Sequence, residues 1–127
     1  TALEIDAMPE DSGWAFEEFA RRHGDFALAS FATTFRLENG IVRGVRIGMM
    51  GVGETPLRLP EIEEIVEGTD LSEPILNTVV ERLANILTPN SDIHASADYR
   101  KHLSGVLAKR GLRTAWARAN GEIPRHV

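Results

Sequence analysis

The sequence predicts an α+β fold in which helices cover one face of a small antiparallel sheet. Residues 26–37 and 41–52 alternate between apolar and polar positions and are rich in β-branched and aromatic residues, which is typical of paired strands. From residue 60 onward the apolar residues instead recur at helical spacing. Because the strands come first and the helices afterwards, an alternating parallel α/β fold does not fit.

The N-terminal part predicts one strand and one short helix. Apolar and acidic residues alternate over residues 3–7, the pattern of a short edge strand with one solvated face. Within residues 14–22, Phe16, Phe19 and Ala20 fall at helical spacing before Gly24. We therefore expect about two helical turns there.

The central hairpin allows two registers around its turn at residues 38–40. A two-residue Asn39-Gly40 turn would put the apolar residues of the second strand on the opposite face from the phenylalanines of the first. A three-residue loop with Gly40 in a left-handed bulge shifts the pairing by one residue. We expect this bulged hairpin, because it gathers five apolar side chains on one face: Phe31, Phe35, Val45, Ile47 and Met49.

Two helices are expected between residues 60 and 89. Pro60 begins the first, which runs to residue 67 and is ended by Gly68. Its glutamates are expected to be solvated: Glu61, Glu63, Glu64 and Glu67. Ser72 is the predicted N-cap of the second helix, whose apolar stripe continues until Thr88 and Pro89 end it.

A third and longer helix is predicted over about residues 97–120, with Ser96 as its N-cap. Gly105 and Gly111 each weaken it by about 1 kcal/mol relative to alanine, which favours a close approach to another element at both glycines. Four residues are expected on its buried side: Tyr99, Leu103, Val106 and Leu107.

Composition excludes several classes of function. With 127 residues and 43% hydrophobic content, the chain suits one globular domain. A net charge of −5 argues against a general nucleic-acid binder, although a local basic stripe stays open. The chain has no cysteine, hence no disulfide, thiol nucleophile or thiolate ligand. No apolar run could span a bilayer and no signal peptide is visible, so a cytoplasmic location is expected. The strand-like start without Met is compatible with part of a longer protein.

Each group of residues that could bind a ligand or metal can also be explained by a purely structural role. The glycine-rich residues 48–56 could cradle a phosphate, but they lack the ending of a P-loop and favour a tight turn. A metal site from His94, Asp98 and His102 would lack further ligands. Trp14 and Phe16 could stack on a flat ring, although a core role is favoured. No catalytic or metal-binding residue is predicted, and the residues alone propose no reaction.

Three linked strings carry a family resemblance. They are GWAFEEFARRHGDFALA at residues 13–29, GVGETPLR at residues 51–58, and DIHASADYR at residues 92–100. With the leucines and glycine that follow the third string, they resemble the C-terminal domain of the FAD-binding (medium) subunit of molybdenum hydroxylases of the carbon monoxide dehydrogenase and xanthine dehydrogenase type. The resemblance implies three to four antiparallel strands followed by three helices on one face, as a single domain over residues 1–127.

The resemblance also implies where the flavin lies. In such subunits the preceding domains, which this chain lacks, hold the FAD pyrophosphate and most of the isoalloxazine. Trp14, Phe16 and Glu17 are the residues expected closest to the flavin, with Asp25 as a further candidate. A lysine occupies the place of Glu17 in xanthine dehydrogenase-like members, whereas carbon monoxide dehydrogenase-like members have an acid there.

The implied partners are a large subunit with the molybdenum cofactor, a small iron-sulfur subunit and the upstream FAD-binding domain of the same subunit. Electrons would pass from molybdenum through the iron-sulfur clusters to FAD. The resemblance implies that the domain forms one side of the flavin site and docks the other subunits. The domain alone is expected to be inactive and to bind no cofactor. The alternative is a stand-alone α+β interaction module without flavin. The substrate and the oligomeric state stay open.

Overall fold

In the part of the chain that the structure describes, four strands form one antiparallel sheet and three helices follow them. The computed structural model describes residues 12–19, 29–51, 56–89 and 96–123. The sheet has the order β1-β2-β3-β4, and its strands are β1 (Ser12–Phe19), β2 (Ala29–Glu38), β3 (Ile41–Met50) and β4 (Leu57–Arg58). The helices are α1 (Pro60–Val66), α2 (Glu73–Ile86) and α3 (Ala97–Ala119). The predicted α+β fold is confirmed, whereas the predicted strand at residues 3–7 lies outside the described residues.

The first described element is a strand, so the helix predicted at residues 14–22 is wrong over its described part. β1 pairs antiparallel with β2, from Ser12 opposite Arg36 to Phe19 opposite Ala29. Aromatic residues on both faces of β1 imitate helical spacing in the sequence, because Phe16 and Phe19 point to opposite sides of the sheet. The small residues of β1 face α3.

The hairpin between β2 and β3 has a two-residue turn, so the predicted three-residue loop is wrong. Asn39 and Gly40 have φ of 54° and 77°, and the pair Glu38–Ile41 closes the turn, as a type I′ turn requires. The extra residue lies further along β3, where the register shifts opposite Phe35. Gly44 has φ of 66° there, the left-handed conformation of a glycine bulge.

The bulge still produces the apolar face that the sequence predicts. The extra residue shifts the pairing by one. This shift places the apolar side chains of β3 on the same face as the phenylalanines of β2, which the two-residue turn alone would not do. All five side chains are at most 3% exposed, in agreement with the prediction: Phe31, Phe35, Val45, Ile47 and Met49.

Two glutamates in or just after α1 bind the edge of β3, and the burial of one of them, Glu63, corrects the expectation that all four are solvated. Glu67, although exposed, accepts the Gly44 and Val45 amides at 3.1 and 3.0 Å. Glu63 is 7% exposed and accepts the Ile47 amide at 3.0 Å. These carboxylates satisfy backbone donors that β4 is too short to reach. Glu61 and Glu64 are exposed as expected.

The helices pack on the sheet and on one another largely as predicted. The Ser96 hydroxyl accepts the Tyr99 amide at 3.1 Å, which confirms the predicted cap of α3. Ser72 precedes α2, but its side chain makes no capping hydrogen bond. The apolar stripe of α2 is buried at Leu76, Val79 and Leu83.

The buried side of α3 differs in part from the expectation. Leu103 and Leu107 are buried, whereas Tyr99 and Val106 are 39% and 38% exposed. The reason is that α3 approaches the sheet through small residues. A Cβ on Gly111 would lie 2.5 Å from Phe31 Cδ1. The predicted close approach at the helix glycines is confirmed, since a Cβ on Gly105 would lie 3.0 Å from a Val80 methyl. None of the described helices is long and apolar enough to cross a membrane.

Candidate functional site

The face of the sheet opposite α3 carries an open groove, which we call the sheet groove. Strand alternation turns Trp14 and Phe16 of β1 toward this face, while Ala15 between them is buried under α3. The middle of the groove is lined by the small residues Ala32 and Gly48, which lie side by side on β2 and β3. The groove has a volume of about 540 Å³.

The sheet groove is an open depression, in which large side chains on two sides flank a floor of small ones. Phe16 is opposite Ala32, and Gly48 is opposite Arg58, so one row across the sheet runs from aromatic through small residues to cationic. Phe16 is 53% exposed. An aromatic side chain this exposed contradicts a purely core role and is typical of a binding surface.

Arg118 fixes the position of Trp14 at the edge of the groove. Its guanidinium carbon lies 4.0 Å from the centroid of the indole ring, a cation–π distance. Its Nη1 also donates to the Trp14 carbonyl oxygen at 2.8 Å. The last turns of α3 therefore determine how Trp14 stands on β1.

The structure brings together two of the four predicted site residues and separates a third. Trp14 and Phe16 share the sheet groove. Glu17 is half-buried on the helix side of β1, where its Cγ lies 3.6 Å from the place of a Cβ on Gly111. Asp25 lies outside the described residues. The assignment of all four as flavin neighbours stays a prediction.

A cationic side of the sheet groove was missed by sequence reasoning. Arg58 donates to both carboxylate oxygens of Glu63, at 3.1 and 2.9 Å. This hydrogen bonding lowers the pKa of the Glu63 carboxyl against the opposing effect of burial, and it raises the pKa of Arg58. Arg46, exposed on the same wall, lines the groove beside it. The signal was present in the alternation of arginines with apolar residues after Gly40.

The other candidate chemistry finds no support in the described part of the chain. Asp98 and His102 are exposed on α3 and His94 lies outside the described residues. Among the residues that the structure describes, no group of three or more potential ligands could hold a metal ion. Within the glycine-rich residues 48–56, Gly51 has a φ of 79°, and its carbonyl accepts from Arg100 Nη1 at 3.2 Å. Residues 52–55 lie outside the described residues.

Fold and sequence together define a domain class. The chain belongs to the CO dehydrogenase flavoprotein C-terminal domain family, whose model matches residues 14–115. The family resemblance drawn from the three sequence strings is thereby confirmed.

Individual proteins and a solved structure are also similar to this chain. The chain is 34% identical over 119 residues to the carbon monoxide dehydrogenase medium chain of Afipia carboxidovorans, covering 94% of this chain and 41% of that protein. It is 36% identical over 118 residues to the nicotine 6-hydroxylase medium subunit of Paenarthrobacter nicotinovorans, covering 93% and 41%. A solved carbon monoxide dehydrogenase from Hydrogenophaga pseudoflava superposes with a TM-score of 0.85 at 32% identity, covering 90% of this chain and 40% of that one. The chain thus spans about two fifths of the length of these relatives.

Proposed function

We propose that this chain is the C-terminal domain of the FAD-binding subunit of a molybdenum-dependent hydroxylase or dehydrogenase. Family membership and medium-subunit relatives support the assignment. In this proposal the rest of the subunit holds the FAD, and a large molybdenum subunit and a small iron-sulfur subunit complete the enzyme in the cytoplasm. The domain itself performs no bond-making step and acts by position and electrostatics.

The observation that carries the proposal is the aromatic side of the sheet groove. Trp14 and Phe16 present ring surface beside a floor of small residues, an arrangement suited to a flat ring system or to the domain that holds one. A bound FAD would supply the acceptor for electrons from the iron-sulfur clusters. Trp14 would cover one side of its ring and restrict water there, and Arg118 would keep the indole oriented. Glu17 and Asp25 stay candidates for contacts from the helix side of β1 and from the segment after it.

The two tryptophans of the chain allow a matched test in the full-length subunit. Trp14→Ala removes the ring and should weaken FAD binding about fivefold, since an aromatic stacking contact is worth about 1 kcal/mol. Trp116 is half-buried in α3 and packs against the core. Trp116→Phe is therefore the control and should leave FAD affinity and the flavin spectrum unchanged.

The measurement is FAD titration by flavin fluorescence, with the absorbance spectrum of the bound flavin as a second readout. Unchanged affinity and spectrum in Trp14→Ala would contradict the proposed wall. The gene context gives an independent test: a flavin-binding domain encoded directly upstream supports the proposal, whereas a start codon there supports the stand-alone interaction module. The 127-residue chain alone is expected to retain no flavin after purification.

A further inference from the structure

The cationic side of the sheet groove depends on a very short strand. β4 consists of Leu57 and Arg58 and pairs with two residues of β3. Beyond this pair, the Leu59 amide donates to the Ile47 carbonyl oxygen at 3.1 Å. These backbone bonds place the Cα atom of Arg58, but they do not restrict its long side chain, which has many rotamers in solution. A defined orientation of Arg58 on the groove therefore needs a further contact.

Glu63 of α1 provides this contact. Its Oε1 accepts from Arg58 Nη2 at 2.9 Å, and its Oε2 accepts from Arg58 Nε at 3.1 Å. The same Oε2 accepts the Ile47 amide at 3.0 Å. Two bonds between a planar guanidinium and a carboxylate fix the orientation of both groups. One buried carboxylate thus joins α1, β3 and β4 and holds the Arg58 guanidinium in a single direction.

Both arginines that line the sheet groove interact with this carboxylate. Hydrogen bonding from Arg58 is the main cause that lowers the pKa of Glu63, and the charge of Arg46 acts in the same direction. The negative charge of Glu63 offsets part of the positive charge of the two guanidinium groups. This side of the groove therefore presents oriented hydrogen-bond donors rather than a surplus of charge.

Arg58 is accessible to a group that occupies the groove. Its side chain is 60% exposed, and its bonds to Glu63 use Nε and Nη2, which leaves Nη1 outside the pair. Arg58 and Phe16 stand at opposite ends of the row that crosses the groove through Ala32 and Gly48. A flavin combines apolar ring surface with carbonyl oxygens, so an aromatic side and a side with donors match its two parts.

We propose that Glu63 is a positioning residue of the sheet groove: it acts through Arg58, whose guanidinium it directs toward a carbonyl oxygen of the flavin ring. This inference rests on the proposed function and deepens it. Glu63 itself is buried and acts only through Arg58. Because the guanidinium is immobilised before binding, less side-chain freedom is lost when it meets an acceptor. Without Glu63, that freedom is lost on binding and FAD affinity falls.

The test is FAD titration of the full-length subunit by flavin fluorescence. Glu63→Gln keeps the shape of the side chain and should weaken FAD binding about threefold, the cost of ordering one long side chain. Arg58→Gln should weaken binding at least as much. In the Arg58→Gln background, Glu63→Gln should have no further effect on affinity, because its action passes through Arg58.

Glu67→Gln is the matched control. Glu67 follows Glu63 by one helical turn and binds the same edge of β3, but through the amides of the bulge. This variant makes the same chemical change and should keep the wild-type FAD affinity. A role of Glu63 in stability alone would leave both variants with unchanged affinity.

The Arg58 Nε–H signal in NMR spectra of the full-length subunit reports the orientation directly. Its hydrogen exchange should be slow in wild type and Glu67→Gln and about tenfold faster in Glu63→Gln, where the charged acceptor is lost. Arg58→Lys provides a second variant, at an exposed position, in case Glu63→Gln does not fold. It keeps the charge but loses the planar fork, and it should weaken FAD binding about as much as Glu63→Gln.

Several outcomes would overturn the inference. One is wild-type FAD affinity in Glu63→Gln and Arg58→Lys. Another is a loss in Glu63→Gln that persists undiminished in the Arg58→Gln background, or an equal loss in Glu67→Gln. If Trp14→Ala weakens FAD binding while the Glu63 and Arg58 variants bind normally, the positioning role fails and the proposed function stands. If Trp14→Ala also binds normally, both fail.

Discussion

Gly13→Ala is the substitution that probes most directly how closely α3 lies on the sheet. An ideal Cβ at this position would lie 1.8 Å from the Ala115 carbonyl oxygen and 2.8 Å from its carbonyl carbon. Ordinary contact begins near 3.4 Å, so the Cβ and the oxygen would be about 1.6 Å too close. Because the obstacle is helix backbone, no rotamer change can relieve the overlap. The helix and the strand must move apart.

The cost of that movement follows from what the interface buries. Overpacking of a tight interior typically costs 1–3 kcal/mol and occasionally more. Here the separation also loosens fully buried neighbours, since Ala115 is 0% and Ala15 is 3% exposed. We expect Gly13→Ala to lower the free energy of unfolding by about 3 kcal/mol, which for a domain of this size lowers Tm by roughly 10 °C.

Gly48→Ala is the matched control, because it makes the same change in another strand of the same sheet. Its Cβ would lie 3.5 Å from the Leu57 carbonyl oxygen, an ordinary contact. Urea unfolding of the 127-residue chain, followed by circular dichroism, should place this variant within about 0.5 kcal/mol of wild type. If Gly13→Ala also stays within that interval, the close packing of α3 on β1 is refuted.

Three further substitutions test contacts between the helices and the sheet. Gly111→Ala should destabilise the chain by about 1–2 kcal/mol in thermal unfolding despite its higher helix propensity, because its Cβ would meet buried Phe31 at 2.5 Å; a stabilised variant would contradict this. Glu67→Ala should cost about 1 kcal/mol in urea unfolding, since it removes the acceptor of two bulge amides, and an unchanged midpoint would disprove the role. Hydrogen bonding from Arg58 holds the pKa of Glu63 below its ordinary value of 4.5. The stabilisation by ionised Glu63 is therefore complete above pH 4.5 and is lost as the pH falls through the lower folded-state pKa. The stability difference between wild type and Glu63→Gln should shrink over that acid range, and a pH-independent difference would be the contrary result.

The strand pair β2–β3 shows how far local sequence rules reach. Five apolar side chains must share one face of the sheet. This requirement predicted correctly that the hairpin contains one extra residue. The same argument does not determine where that residue lies. A bulge at the turn and a bulge at Gly44 both place Val45, Ile47 and Met49 on the face of the phenylalanines. The choice depends on Glu67, which directly follows α1 and binds the amides at the bulge. A contact between distant segments decided what the local pattern left open.

Tertiary contacts also explain the errors at β1 and at Glu63. The segment 12–19 is short and has aromatic residues on both faces, so helical and strand periodicity compete. Pairing with β2 resolves the competition. Glu63 belongs to a run of glutamates that looks uniformly solvated, yet it meets an unpaired amide at Ile47. The sequence contains no local sign of that amide.

The family strings predicted candidate site residues, whereas residue chemistry alone predicted no reaction. They singled out Trp14, Phe16 and Glu17 as a group, but alternation along a strand necessarily divides such a group between two faces. A flavin lying on the groove side can meet the first two directly. Glu17 lies on the other side of the strand, beside Gly111, and its contact with a flavin stays a prediction.

This division links the stability of the layers to the candidate site. Gly13 and Ala15 must be small for α3 to lie close, and the residues between and after them then point into the groove. The same helix sends Arg118 to the Trp14 ring and carbonyl. In Gly13→Ala, the retreat of α3 should therefore draw Arg118 away from Trp14 as well. We expect a change in tryptophan fluorescence at temperatures where the variant is still folded, and Gly48→Ala should not show it. An unaltered spectrum in folded Gly13→Ala would mean that Trp14 keeps its position without the helix.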